Sequence, residues 1–304
     1  MNRRLAIPVT AVALAAVGGG AAWALAGQGS ASGTETTDRS TATATVDRRD
    51  LVQYESVDGT LGYDDPRTLY AQAAGTVTAL RAAGSVVRRG GALCWVDSRP
   101  VTLLYGSVPM WRPLNASSPD GADIRELEQN LVALGYDPYG RVAIDDEWTS
   151  ATTAAVKRWQ DALGLAKTGA VAPGAVVFLP GPRRVGQQKA TVGAPLQPGA
   201  EVIDTTSIKR VVTIDLDADK QSLVKKGDRV SVDLPDGSTI HGRIASVGKV
   251  AQSTPDPDTG EQGTPTIEVR VALARGAKTG AYDEAPVDVF LAKETAKNVL
   301  SVPV

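Results

Sequence analysis

The strongest constraint on what this chain can fold into is the glycine spacing of one stretch, A-G-T-V-T-A-L-R-A-A-G-S-V-V-R-R-G-G-A-L-C-W-V-D, residues 74–97. Gly75, Gly84 and the pair Gly90–Gly91 separate three short apolar runs. Glycine takes positive φ without steric cost, so each is a point where the chain can reverse. Val77 and Ala79, then Val86, then Leu93, Trp95 and Val96 supply the apolar side chains, and β-branched residues dominate. Short β-rich runs between turn residues predict strands.

Written as G-x-V-x-x-L-x-x-x-G-x-x-V-x-x-G-x-x-L-x-x-V-D, this text resembles one half of a biotinyl/lipoyl-type barrel. Carrier proteins of that fold hold their cofactor on a lysine hairpin. Here Arg99 to Gly106 follows without a methionine–lysine–methionine hairpin, so no cofactor is expected. A second half-like stretch comes only at Ala190–Ile203. A lipoyl-like fold split by a long insertion, without the carrier lysine, resembles the membrane fusion proteins, or periplasmic adaptors, of hemolysin-secretion and efflux transporters. The alternative is any small β-sandwich with glycine turns.

With 304 residues, two or three domains are expected. A net charge of −2 gives no electrostatic case for a nucleic-acid partner. Cys94 is the single cysteine, which excludes an intrachain disulfide and a cysteine-based zinc cluster. Its setting between Leu93 and Trp95 predicts a small buried hydrophobe. The one histidine, His241, sits in a predicted exposed strand without a second histidine to complete a zinc site. No catalytic or metal-ligating constellation emerges, and an enzyme is not expected.

Residues 1–26 read as an export segment. Asn2-Arg3-Arg4 precedes an uncharged run from Leu5 to Ala26, which as a helix would be ~33 Å long, enough to span a bilayer. Ala24-Leu25-Ala26 also fits a small-residue cleavage site. Cleaved signal and retained anchor both stay open, and the anchor is favoured because adaptors are commonly tethered. The bulk of the chain is then extracytoplasmic on the cytoplasmic membrane, or secreted to the wall if the segment is cleaved. The Ser/Thr/Gly-rich residues 27–45 read as a disordered tether.

Between roughly Asp120 and Pro180 the period changes. Ile124, Leu127, Leu131 and Leu134 recur at helical spacing up to Gly135, with Asp123 as expected N-cap and Glu126 as its capping-box partner. A second helix is expected from about Ser150 to Leu163, capped by Thr149 or Ser150. The text L-x-x-N-L-x-x-L-G-Y, then E-W-T-x-x-T-x-x-A-V-x-x-W-Q-x-x-L-G-L, then T-G-x-V resembles the small helical peptidoglycan-binding domain. That family continues into a third helix, whereas Ala172 to Pro182 reads here as a β-run closed by prolines. Tyr136, Trp148 and Trp159 are the candidate peptidoglycan contacts, each open between sugar stacking and helix packing. Asp145, Asp146 and Glu147 are expected to complement a helix dipole rather than bind metal. No sustained heptads predict a long α-hairpin.

The remainder reads as barrel. Lys209–Asp217 is a strand, Asp236-Gly237 signals a hairpin between Val230–Leu234 and Thr239–Val247, and Thr266–Leu273 alternates after a Pro/Asp/Gly/Thr loop. Leu223–Val232 and Gly242–Val247 resemble the adaptors' β-barrel elements. Adaptors normally continue past this point, so the end at Val304 reads as a fragment or a reduced terminal domain.

The expected fold class is mainly β and multi-domain: split lipoyl/biotinyl-like half-barrels plus a β-barrel domain, with a small α-helical peptidoglycan-binding-like insert. The expected division is a signal or anchor (1–26), a linker (27–45), a membrane-proximal β segment (46–66) and a first lipoyl-like half (67–112). The helical domain (119–181), the second half (185–208), the adaptor β-barrel (209–292) and the start of a membrane-proximal domain (293–304) follow. The resemblance implies a non-catalytic adaptor whose partner is an inner-membrane permease of ABC type, with peptidoglycan and a homo-oligomer as further partners. The alternative is a cell-wall anchoring protein that positions another exported factor.

Overall fold

The computed structural model describes residues 47–253, 263–280 and 282–301. The expected export segment, the tether and most of the Pro/Asp/Gly/Thr loop lie outside the described residues. The first strands are β1 (Asp47–Tyr63), β2 (Arg67–Tyr70), β3 (Gly75–Leu80), β4 (Val86–Val87), β5 (Ala92–Val96) and β6 (Arg99–Tyr105). Two helices follow, α1 (Ala122–Ala133) and α2 (Ser150–Ala162). Then come β7 (Val176–Leu179), β8 (Arg183–Gln188), β9 (Pro195–Leu196), β10 (Glu201–Thr206) and β11 (Arg210–Asp217). After a 3-10 turn at Ala218–Leu223 the chain ends in β12 (Arg229–Asp233), β13 (Thr239–Val247), β14 (Thr266–Leu273) and β15 (Ala285–Ser301). The fold is mainly β, with one helical insert.

Strict alternation builds the closed barrel, whose strand order is β1-β11-β14-β13-β12-β15. Val212, Ile214 and Leu216 of β11, Ile267, Val269 and Val271 of β14, and Val287, Val289 and Leu291 of β15 all point inward; the residues between them are polar except Phe290. Leu61 of β1, wholly buried, completes the core from the far end of the sequence. Closure leaves no edge for stray pairing.

The remaining strands form two sheets, β2-β10-β8-β4 and β7-β6-β5-β3-β9, whose inner faces share one core that includes Leu69, Val77, Leu93, Leu103, Val185 and Ile203. The glycine text explains their pairing. Gly84 donates its N–H to Val185 O and Gly193 to Val77 O; Gly90 donates to Leu103 O and Gly199 to Ala71 O. All four glycines have φ between +79° and +90°. Two copies of one glycine-bounded turn thus begin by docking on the opposite half, through Gly84 and Gly193, and β4 and β9 pair there with β8 and β3. Without β7, the sheets are related by exchanging β3 with β8, β4 with β9, β5 with β10 and β6 with β2.

β7 breaks this symmetry. It lies parallel to β6, with Thr102 opposite Val176 and Leu104 opposite Phe178. Parallel neighbours cannot be joined by a tight turn and need a crossover. Residues 106–175, carrying both helices, are that crossover.

Arg183, at the start of β8, is wholly buried and ion-paired at 2.7 Å to Asp65, which lies between β1 and β2. Tyr63, at the end of β1, lies beneath two guanidinium groups, Arg184 at 4.5 Å and Arg210 at 4.1 Å from its ring centre.

Candidate functional site

The helical insert is built as an extension of the sheet. Its core joins Ile124, Leu127 and Leu131 of α1 and Val156 and Trp159 of α2 to Leu104 of β6 and to Val176 and Phe178 of β7. The connectors belong to it as well, because Met110 and Leu114 are buried and Leu114 bridges Val171 in both directions. Polar groups fix the seat. Asn130 accepts from the Tyr105 N–H at 2.8 Å and donates to Tyr105 O at 2.7 Å. The Glu126 carboxylate accepts from the Ser107 and Val108 N–H groups. A Cβ at Gly106 would collide with that carboxylate, so a larger residue there would displace Glu126 from the Ser107 and Val108 N–H groups.

Two expectations at the helix ends change. The N-cap of α1 is Gly121, without a side-chain cap, and Asp123 lies one residue inside the helix. Arg112 takes both its carboxylate oxygens, at 2.7 and 2.8 Å, and holds its pKa below the ordinary carboxylate value. A bidentate pair with a nearly buried carboxylate outcompetes a cap. Glu126 is likewise engaged by the Ser107–Val108 loop. The second helix follows the sequence: Thr149 caps α2 with a reciprocal capping box to Thr152.

The acidic run does not sit on a helix dipole, since α2 has no acidic residue in its first turn. Asp145 accepts from the Glu147 N–H at 2.9 Å, and Asp146 pairs with Arg125. The Asp145 N–H donates to Glu128, a wholly buried carboxylate on α1 that also accepts from the Thr152 hydroxyl. Burial pushes the Glu128 pKa above its ordinary value, against the lowering effect of these two donors. Among the described residues, no group of three or more His, Cys, Asp or Glu is placed to hold a metal ion.

The three candidate aromatics occupy different places. Trp159 is 3% exposed and Trp148 7%, both inside the module core. The Trp148 indole N–H donates to Thr153 Oγ1 at 2.8 Å. Tyr136 is half-buried against the same core, and its carbonyl accepts from Arg158. Within residues 106–175 the exposed aromatics are Tyr139 and Trp111, each 70% exposed. Tyr139 stands between the guanidinium carbons of Arg141 and Arg158, 5.6 and 5.7 Å from its ring centre. Its loop is fixed by Asp137, whose carboxylate accepts from the Arg141 and Val142 N–H groups. An exposed ring flanked by two cations can stack on a sugar face while the guanidinium groups hold a carboxylate. The D-P-Y-G turn carried this signal, as an aromatic on a tight polar loop has no core to enter.

A protein-family model described as "Putative peptidoglycan binding domain" matches residues 120–173, which fall wholly inside the crossover. No curated protein sequence matches the chain. Among solved structures, the chain is similar to MacA from Actinobacillus actinomycetemcomitans, with 15% identity, 86% of this chain and 84% of that one covered, and a TM-score of 0.47. It is also similar to a MacA–MexA chimera containing the Pseudomonas aeruginosa MexA α-hairpin domain, at 15% identity over 84% and 86% of the two chains and a TM-score of 0.46. A membrane fusion protein from Streptococcus pneumoniae matches at 12% identity over 81% of this chain and all of that one (100%), with a TM-score of 0.38.

Proposed function

We propose that this chain is a non-catalytic, extracytoplasmic adaptor subunit of an export transporter, tethered at the cytoplasmic membrane, with the helical module directed at the cell wall. The observation that carries this reading is the topology. Two half-barrels exchange glycine turns, an inserted module separates them, and a closed barrel follows that draws its first strand from upstream of both. This is the succession that the sequence resemblance to adaptors implies. In the module, a compact unit replaces the long α-hairpin.

The partner we propose is an inner-membrane permease of ABC type, with the adaptor acting as a ring of several copies. Wall contact is assigned to the Tyr139 face, with Arg141, Arg158 and the edge of Tyr136. Trp148 and Trp159 support that face from beneath through the module core. Affinity purification of the full chain from solubilised membranes tests the adaptor reading. Recovery of a permease with its ATPase supports it, and recovery of no transporter overturns it.

The alternative, a wall-anchoring protein that positions another exported factor, is favoured by the family-model match over residues 120–173. It expects sedimentation with purified sacculi and no associated transporter. Tyr139→Ala should reduce sedimentation several-fold, and unchanged sedimentation removes the Tyr139 face from the reading.

A further inference from the structure

A cavity of about 190 Å³ lies in the crease where both β-sheets meet the helical module. Its floor is apolar, formed by Leu69 and Val202 of one sheet and Cys94, Val101 and Leu196 of the other. Trp159 and Leu165, with the Pro173–Ala175 segment, close the side toward the module. The mouth is different in character. Gln72, Ala73, Asp97 and Arg99 line it and are exposed.

The charges at the mouth are not equivalent. Asp97 accepts from the Thr76 N–H through Oδ1 at 2.8 Å, which turns that oxygen toward β3. Arg99 makes no ion pair among the described residues. The Cys94 thiol, its pKa pushed up to about 12 by burial, stays neutral and adds to the apolar floor. A dry apolar cavity of roughly 150 Å³ is large enough for benzene. An apolar pocket with one convergent polar group is the usual form of a small-molecule site.

We propose that this crease binds a small anionic amphiphile, one aromatic ring or a short alkyl chain inside the cavity and a single carboxylate at Arg99. Three structural units furnish the site: the two halves of the split sandwich and α2 of the insert. None of them encloses it alone. The inference does not depend on the adaptor reading.

The test is a saturation-transfer NMR titration of the full chain in lipid nanodiscs, with empty nanodiscs as background. The probes are phenylacetate and its neutral counterpart phenylacetamide. Saturable phenylacetate binding is expected, with a dissociation constant on the order of 1 mM for so small a ligand. Val177→Phe, which fills the cavity from β7, should weaken both probes at least tenfold. Ala73→Trp plugs the exposed mouth without touching the core, and keeps the test valid if the first variant does not fold. Arg99→Gln should weaken phenylacetate about five- to tenfold and leave phenylacetamide unchanged. A signal no greater than that of empty nanodiscs, or wild-type binding by folded Val177→Phe and Ala73→Trp, overturns the site. Equal binding of both probes, with no effect of Arg99→Gln, overturns the anionic ligand class.

Discussion

Replacing Arg183 by methionine should cost this protein about 3 kcal/mol, and the reasoning rests on what the guanidinium holds. Its side chain is wholly buried. It donates to Asp65 Oδ2 at 2.7 Å and Asp65 O at 2.6 Å, and to Thr205 Oγ1 and O at 3.2 and 3.0 Å. Asp65 has φ +54°, an unfavourable conformation for a residue with a Cβ, and the bond to its carbonyl helps to hold it there. Breaking a buried pair by removing one partner costs about 3–5 kcal/mol. Asp65 is 32% exposed and can recover water, which places the expectation at the low end. In a unit of this size ~3 kcal/mol corresponds to a fall in Tm of about 6–12 °C. Thermal and urea unfolding of Arg183→Met, Asp65→Asn and the double variant form the assay. The double variant should be less destabilised than the sum of the singles by at least ~1 kcal/mol. A loss under ~1 kcal/mol in Arg183→Met, or strictly additive singles, would refute the argument. A pH dependence follows too. Burial raises the Asp65 pKa, but hydrogen bonds from Arg183 and Arg67 outweigh it, and the net shift is downward. The stabilisation is therefore fully present above the unfolded value of ~3.9 and is lost as pH falls through the folded value. Asp65→Asn should be less acid-sensitive than the parent below about pH 4.

Glu128 should behave in the opposite sense. Its folded pKa is raised, so the charged form costs stability once pH exceeds the unfolded value of ~4.3. Glu128→Gln can still accept from Asp145 N–H and bond Thr152; unfolding at pH 7 should show it equal to or up to ~1 kcal/mol more stable than the parent, with the gain vanishing by about pH 4. Thr149→Ala removes the α2 cap and half of its capping box, and should cost about 1 kcal/mol in urea unfolding. Cys94 should resist thiol-specific reagents at pH 8 in the folded protein and react fully in denaturant, because a buried thiol with a pKa of about 12 is almost entirely protonated.

Local signals were legible and distant partnerships were not. The alternating residues of β11 and β14 announced barrel strands because one face is buried and the other wet. The turns at Gly84 and Gly90 were readable because positive φ selects glycine. The Asp236-Gly237 hairpin was readable for the same reason, with Gly237 at φ +78°. The α2 cap was legible as Thr149 or Ser150 because capping is local, and Thr149 takes it with its partner Thr152 three residues away. Asp123 misled because its partner, Arg112, lies outside the helix, and a bidentate ion pair leaves no periodic mark. Strand β7 was visible as a β-run, but its parallel pairing with β6 was not. A crossover of some 70 residues carries no turn signal; the strand ladder and the burial of Leu104 and Phe178 in the module core fix it, and neither is local in sequence. Trp159 shows the same limit, since helical spacing gives its face and not what lies against that face.

The parallel pairing decides what the insert can do mechanically. A module hung on two flexible linkers would reorient freely, since few contacts would cross its boundary. Here the boundary is crossed by a strand ladder, a shared apolar core, the paired bonds of Asn130 to Tyr105 and the grip of Glu126 on Ser107 and Val108. The α1 end packs so closely on a sheet turn that a Cβ at Gly90 would lie 2.9 Å from Leu134. Reorienting the module would expose Leu104 and Phe178 together, and burial of side chains this size is worth roughly 1.5–3 kcal/mol each. The module and the half-barrel therefore move as one body. In the adaptor proposed above, a load applied at the proposed Tyr139 contact would pass directly into the sheets, and the insert would set a fixed distance rather than search for its contact.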